Sequence, residues 1–138
     1  MELGRMNRIL HLVLKYLYAL VLLGTGGKHL YNIYWGDASV MATGYPEPEA
    51  QAFVTAVIAS GFLLPFICVA KLIAGVLILL PGREQLGVLI AFPYAVGMLV
   101  WGVAMVPSHL AIMVAIFVVN AMLVYANWDH YSPLLKAK

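Results

Sequence analysis

Apolar residues gather in four long blocks along this chain, from about Ile9 to Gly27, Gly61 to Leu80, Leu86 to Val106 and His109 to Asn127. Each is close to the roughly 20 residues that cross a hydrocarbon core of about 30 Å at about 1.5 Å per residue. Pro81-Gly82 closes the second block, since glycine suits a helix C-terminus and proline does not continue a helix. Pro107-Ser108 separates the third block from the fourth and places Ser108 as an N-cap. Both turns are short, so blocks two, three and four are expected as antiparallel neighbours. The pattern predicts an all-α fold, an integral membrane four-helix bundle forming a single transmembrane domain over residues 1–138.

The connection from Lys28 to Ser60 is the one long segment outside these blocks. Tyr31 to Asp37 is aromatic and reads as a turn, and Tyr45-Pro46-Glu47-Pro48-Glu49 as extended chain or a helix start. From Glu49 to Ser60, Phe53, Val54, Val57 and Ile58 recur at helical spacing with Gln51 and Thr55 off that face. This predicts a short amphipathic helix in the first extramembrane loop, either a plain cover over the bundle or a lid or docking surface. Ala70/Ala74, Ala91/Ala95 and Ala111/Ala115 are small-residue pairs that permit close backbone approach. Pro93 should kink the third span and free a carbonyl near Leu89.

Composition agrees with a membrane setting, with 64% hydrophobic residues, mean hydropathy +0.94 and 10% charged residues. Soluble domains carry about 25% charged residues. A net charge of +2, dispersed along the chain, excludes a nucleic-acid surface. The single cysteine, Cys68, excludes a disulfide framework, a zinc site and internal thiol–disulfide exchange. Arg5, Arg8, Arg83, Lys136 and Lys138 fall on one side of a four-span layout and Lys28 on the other, which predicts both termini and the Pro81–Gln85 turn in the cytoplasm. Lys15 and His11 interrupt the first block and no small-x-small cleavage pattern follows it, so it is expected as an uncleaved span rather than a secretory signal.

Lys71 lies near the midpoint of the second block, where a charge costs roughly 2.5–3.5 kcal/mol on insertion scales. No Asp or Glu lies inside the other apolar blocks, so its partner is expected to be water, backbone or another molecule. Passive snorkelling toward the interface is the alternative. Arg8, His11 and Lys15 share a helical face and form a basic stripe entering the membrane from the terminal side, suited to lipid headgroups, a quinone carbonyl or an acidic partner helix. Lys28, His29 and His109 are the candidates on the opposite side. Two histidine pairs, His29 with His109 and His11 with His130, would suit a b-type haem carrier. All four sit at span ends where they can stay hydrated, so haem is not expected, and no two share a helical face for a metal. Phosphate loops, dinucleotide fingerprints, hydrolase elbows and paired carboxylates are absent.

Several short motifs, in order, resemble those of DoxX-like membrane proteins. Thr25-Gly-Gly-Lys28-His29 is similar to the Gly-x-x-Lys ending of that family's first helix. Ala59-Ser-Gly-Phe-Leu-Leu-Pro65 followed by Lys71-Leu-Ile-Ala-Gly75 resembles its second, and Ala91-Phe-Pro93 its third. Asn120 to Leu135 resembles its fourth helix and short tail. Two departures stand out: Lys71 where the family commonly has glutamate, and Trp101-Gly102 where it often has histidine. The resemblance implies a four-helix protein of a bacterial or archaeal plasma membrane, and some relatives are small subunits of thiosulfate:quinone oxidoreductases. The expected function is a non-catalytic accessory or scaffold subunit of a larger membrane complex, with membrane lipids and other proteins as partners and no nucleic acid. A quinone-facing subunit of an oxidoreductase is the alternative, and a small anion carrier the third reading.

Overall fold

The computed structural model describes residues 7–136, so Arg5 and Lys138, used above for orientation, lie outside the described residues. Among the described residues all regular structure is helical: α1 (Arg8–Tyr34), α2 (Val40–Thr43), α3 (Pro48–Ala59), α4 (Leu63–Leu79), α5 (Glu84–Ala104), a 3-10 turn (Pro107–His109), α6 (Leu110–Ala126) and α7 (Trp128–Leu135). Asn7 starts α1, its side-chain oxygen accepting the Ile9 N–H at 2.9 Å. The turn expected over Tyr31–Asp37 begins only at Trp35, because α1 runs on past Gly27, where the apolar block ends, to Tyr34. No proline interrupts it, and Gly26 is packed directly against the Cys68 carbonyl and the Leu72 side chain, a contact that offsets the weak helix propensity of glycine. Asp37 then stops the chain, its carboxylate accepting the backbone N–H and the hydroxyl of Ser39 at 2.9 and 2.6 Å.

α3 starts at Pro48, in the first helical turn where a missing N–H costs nothing. It meets α4 at a bend of 88°, made at Gly61, whose φ of +76° a side chain would resist. The expected covered face of α3 is only weakly expressed. Ala50 is its one fully buried residue, and Phe53 stays 46% exposed. α1, α5 and the stretch from Pro107 to Ala126 are each long and apolar enough to cross a membrane, and the bent α3–α4 pair makes a fourth candidate if counted as one span. Apolar helices of this length suggest a membrane protein.

α1 packs on α4, α4 on α5 and α5 on α6, and a lighter α1–α6 contact closes the ring. The interior is built around Tyr18, Leu22, Ile78, Val88 and Leu123 with Ala19, Ala74 and Ala91 between them. Glycines set the closest approaches. A Cβ on Gly87 would lie 2.6 Å from the Ala74 carbonyl oxygen and 2.7 Å from the Ile78 nitrogen. Ala74, Ala91 and Ala95 are buried as the small-residue pattern predicts, whereas Ala111 and Ala115 face outward, because α6 turns Met113, Asn120 and Leu123 inward instead. The outside of the ring is as apolar as its inside, with Leu12, Leu20, Ile73, Val100 and Ile112 exposed, which is the opposite of a surface adapted to water.

Two further expectations change. Ser108 is not an N-cap. It sits inside the 3-10 turn, its hydroxyl 2.9 Å from His109 Nδ1, and His109 is the residue preceding α6. The tail forms α7, held by the Tyr131 hydroxyl donating to the Gln85 carbonyl.

Candidate functional site

At the end of the ring formed by the α2–α3 loop, a cavity of about 220 Å³ opens to the surface. Lys28, His29 and Asn32 reach it from the last turns of α1, Tyr45 from the loop after α2, and His109 from the 3-10 turn. These elements converge because α1 extends past the point where the apolar block ends, and because the Asp37–Ser39 turn folds α2 back over it. The three residues that sequence places on this side, Lys28, His29 and His109, therefore share one site. Asn32 and Tyr45 join them without having been singled out. Tyr45 is held edge-on between Trp101 and His109, with ring centroids 4.9 and 5.2 Å away, and burial pushes its hydroxyl above its usual titration range. No carboxylate lines the cavity, so its electrostatics favour a group that accepts hydrogen bonds or carries negative charge.

Glu47 ties this end together. Its Oε1 accepts the Ser108 N–H at 3.0 Å, linking the start of α3 to the 3-10 turn. Hydrogen bonding from Ser108, its side chain foremost, holds the Glu47 carboxyl below its ordinary value of 4.5. A carboxyl depressed on folding contributes stability above the ordinary value and loses it as pH falls through the lower folded one. Trp101 fluorescence, in a chain with Trp35 and Trp128 replaced by Phe, should therefore change as pH falls below 4.5, and Glu47→Gln should abolish that change.

Lys71 lies deeper, 4% exposed, on the inward face of α4. Its Nζ stands 4.7 Å from the centre of the Tyr94 ring, and both ion pairs among the described residues lie elsewhere. A cation–π contact returns about 0.5–2 kcal/mol against roughly 2.5–3.5 for placing a charge at midplane depth, so the lysine stays a net cost to the fold. Lys71→Met should accordingly raise thermal stability in detergent by about 1–2 kcal/mol, measured as a shift in melting midpoint. An unchanged or lowered midpoint would mean that Lys71 is already well satisfied.

The basic stripe finds its partner within the chain. Glu84, the first residue of α5, receives His11 Nε2 at 2.5 Å, Lys15 Nζ at 3.1 Å and Asn127 Nδ2 at 3.0 Å. Three helices are thereby pinned at the end that carries the termini. Arg8, the third member of the stripe, stays exposed. Sequence reasoning assigned Glu84 to a solvated turn, yet α5 begins there and buries it to 8% exposure. His11 and Lys15 therefore need no acidic group from outside. Among the described residues no three His, Cys, Asp or Glu side chains gather for a metal ion. A third polar site was missed altogether: fully buried Asn120 donates to the Tyr18 hydroxyl at 2.8 Å and to the Val88 carbonyl at 3.3 Å. Its signal was an amide in the middle of an otherwise apolar block.

The chain matches no family model, no curated protein and no solved structure. Thr25 to His29 leads into the cavity, Lys71 and Gly75 face inward from α4, and Pro93 lies within α5.

Proposed function

We propose that this chain is an integral membrane four-helix bundle that serves as a non-catalytic subunit of a larger membrane complex, holding a small ligand while a partner carries the chemistry. The observation that supports it most is the convergence of Lys28, His29, Asn32, Tyr45 and His109 on one cavity, with the unpaired Lys71 below. The count of charged residues supports an outer-face cavity with both termini in the cytoplasm, and the resemblance to the DoxX-like family, some of whose members are linked to redox enzymes, supports a redox partner. Lys71 and the cavity are open to groups from outside the chain, whereas Glu84 already serves His11 and Lys15.

Purification from native membranes in mild detergent tests this directly. A defined complex should accompany the chain, and a His29→Ala/His109→Ala variant should leave the complex intact while lowering its activity. A lone chain or homo-oligomer would overturn the reading.

A quinone-facing role is the second reading. It is favoured by the pairing of hydrogen-bond donors, Lys28, His29 and His109, with the aromatic face of Tyr45 in one cavity, a combination that fits a flat ring bearing carbonyls. Quenching of Trp101 fluorescence by a water-soluble quinone analogue, lost in His109→Ala, is the expected result for it.

A further inference from the structure

The two ends of the ring carry the same kinds of hydrogen-bond donor, and only one end supplies them with an acceptor. At the end that carries the termini, an imidazole, an ammonium and an amide converge on one carboxylate. His11 Nε2, Lys15 Nζ and Asn127 Nδ2 all lie within hydrogen-bond distance of Glu84. At the other end Lys28, His29, Asn32 and His109 line one cavity, which again brings imidazole, ammonium and amide together. No Asp or Glu lines it. The second set repeats the first with one more imidazole and without the carboxylate.

The acidic residues of the covering loop do not make good the difference. Asp37 holds the N–H and hydroxyl of Ser39, and Glu47 Oε1 holds the Ser108 N–H. Both ion pairs among the described residues belong to Glu84, so Lys28 has none there. His109 Nδ1 lies 2.9 Å from the Ser108 hydroxyl. An anion selects the tautomer in which that hydroxyl donates to Nδ1 and Nε2 carries the N–H. Hydration alone would satisfy such side chains on an open surface. Here they come from the last turns of α1 and from the 3-10 turn, and they line a single concavity of about 220 Å³. Met41 and Tyr45 give that concavity an apolar wall. An inorganic anion would leave this wall to water, whereas an organic acid covers it while presenting a carboxylate to the donors. Drug-sized ligands occupy about 300–1,000 Å³, so the acid is smaller than those.

We propose that the loop-end cavity binds a small free organic acid, whose carboxylate takes the part that Glu84 plays at the opposite end. Lys28, exposed at the rim, supplies the positive charge, and the half-buried His29, Asn32 and His109 supply directed N–H groups. Hydrogen bonds to an ionised acceptor are about twice as strong as neutral ones, so the site prefers a carboxylate to an uncharged carbonyl of the same shape. This ligand class rests on the reading of the cavity as the subunit's ligand site, and it tells an acid from a quinone there.

Titration calorimetry of the purified full chain in phosphatidylcholine nanodiscs tests it. Acetate, lactate and benzoate are each compared with the matching amide, which keeps the shape and removes the charge. At least one acid should bind about tenfold or more tightly than its amide, and Lys28→Met should weaken that acid about tenfold. The comparison of acid with amide is made on the wild type, so it stands even if a variant fails to fold. No acid binding more tightly than its amide would overturn the proposal, as would acid binding unchanged in a folded Lys28→Met chain. Inorganic phosphate displacing the acids at lower concentration than they bind would overturn it in favour of a mineral oxyanion. Acid and amide binding equally, with both lost in His109→Ala, would overturn the acid yet keep the cavity as a ligand site. Failure of the subunit reading shows separately, as a chain that purifies without a complex.

Discussion

Glu84→Gln should lower stability by about 3 kcal/mol, the range found when one partner of a buried ion pair is removed. The substitution keeps the shape of the side chain and one acceptor for Asn127. What it removes is the charge facing Lys15 and His11, whose side chains are 16% and 30% exposed against 10% for Glu84. The Lys15 ammonium is then left desolvated beside an amide. Reversible unfolding in mixed micelles measures the loss. Lys15→Met alone should cost less, because Glu84 keeps His11 and Asn127. The Glu84→Gln/Lys15→Met pair should recover much of the deficit, since it removes the ammonium that Glu84→Gln leaves uncompensated. A Glu84→Gln chain as stable as the wild type would show that the cluster is solvated and contributes nothing.

Gly87→Ala should be nearly as damaging, and the glycines around it supply the controls. Alanine improves on glycine by about 1 kcal/mol in a helix, while overpacking a close contact costs roughly 1–3. At Gly87 the new methyl meets the Ala74 carbonyl and the Ile78 nitrogen, backbone atoms that move only if α4 and α5 separate. The clash wins there, for a net loss of about 2 kcal/mol. At Gly75 the nearest atoms, 2.7 and 2.9 Å away, belong to the Leu23 side chain, which can change rotamer, so Gly75→Ala should be close to neutral. Gly97 has nothing within 4 Å, and Gly97→Ala should gain up to about 1 kcal/mol. Equal effects at all three positions would mean that helix contact plays no part.

Sequence made the long helices legible because their signal is local. An apolar block and the Pro-Gly or Pro-Ser that ends it lie within a few residues of each other. Where α1 ends was less legible, since the Gly26 contact with α4 that carries the helix past Gly27 joins residues far apart in the chain. Three of the five residues named in the loop-end site were legible, because topology alone sends Lys28, His29 and His109 to one side. Asn32 and Tyr45 depend on how the α2 loop folds back, which no periodicity records. Glu84 was hidden for a different reason. Its partner His11 is 73 residues away, and a carboxylate beside a proline–glycine turn reads as solvated until the neighbouring helix is seen to cover it.

The order in which the ring closes has a consequence for biosynthesis. The ring helices leave the ribosome in the order α1, α4, α5 and α6, so each newcomer lies beside the one before it, and only α6 must find the first. α6 brings Asn120 for Tyr18, and Asn127, just beyond its end, for Glu84, joining residues 102 and 43 positions apart. A nascent chain stalled before α6 would leave Tyr18 without Asn120 and Glu84 with His11 and Lys15 but without Asn127. Those two asparagines therefore separate a closed ring of helices from an unfinished one that quality control can still recognise and remove.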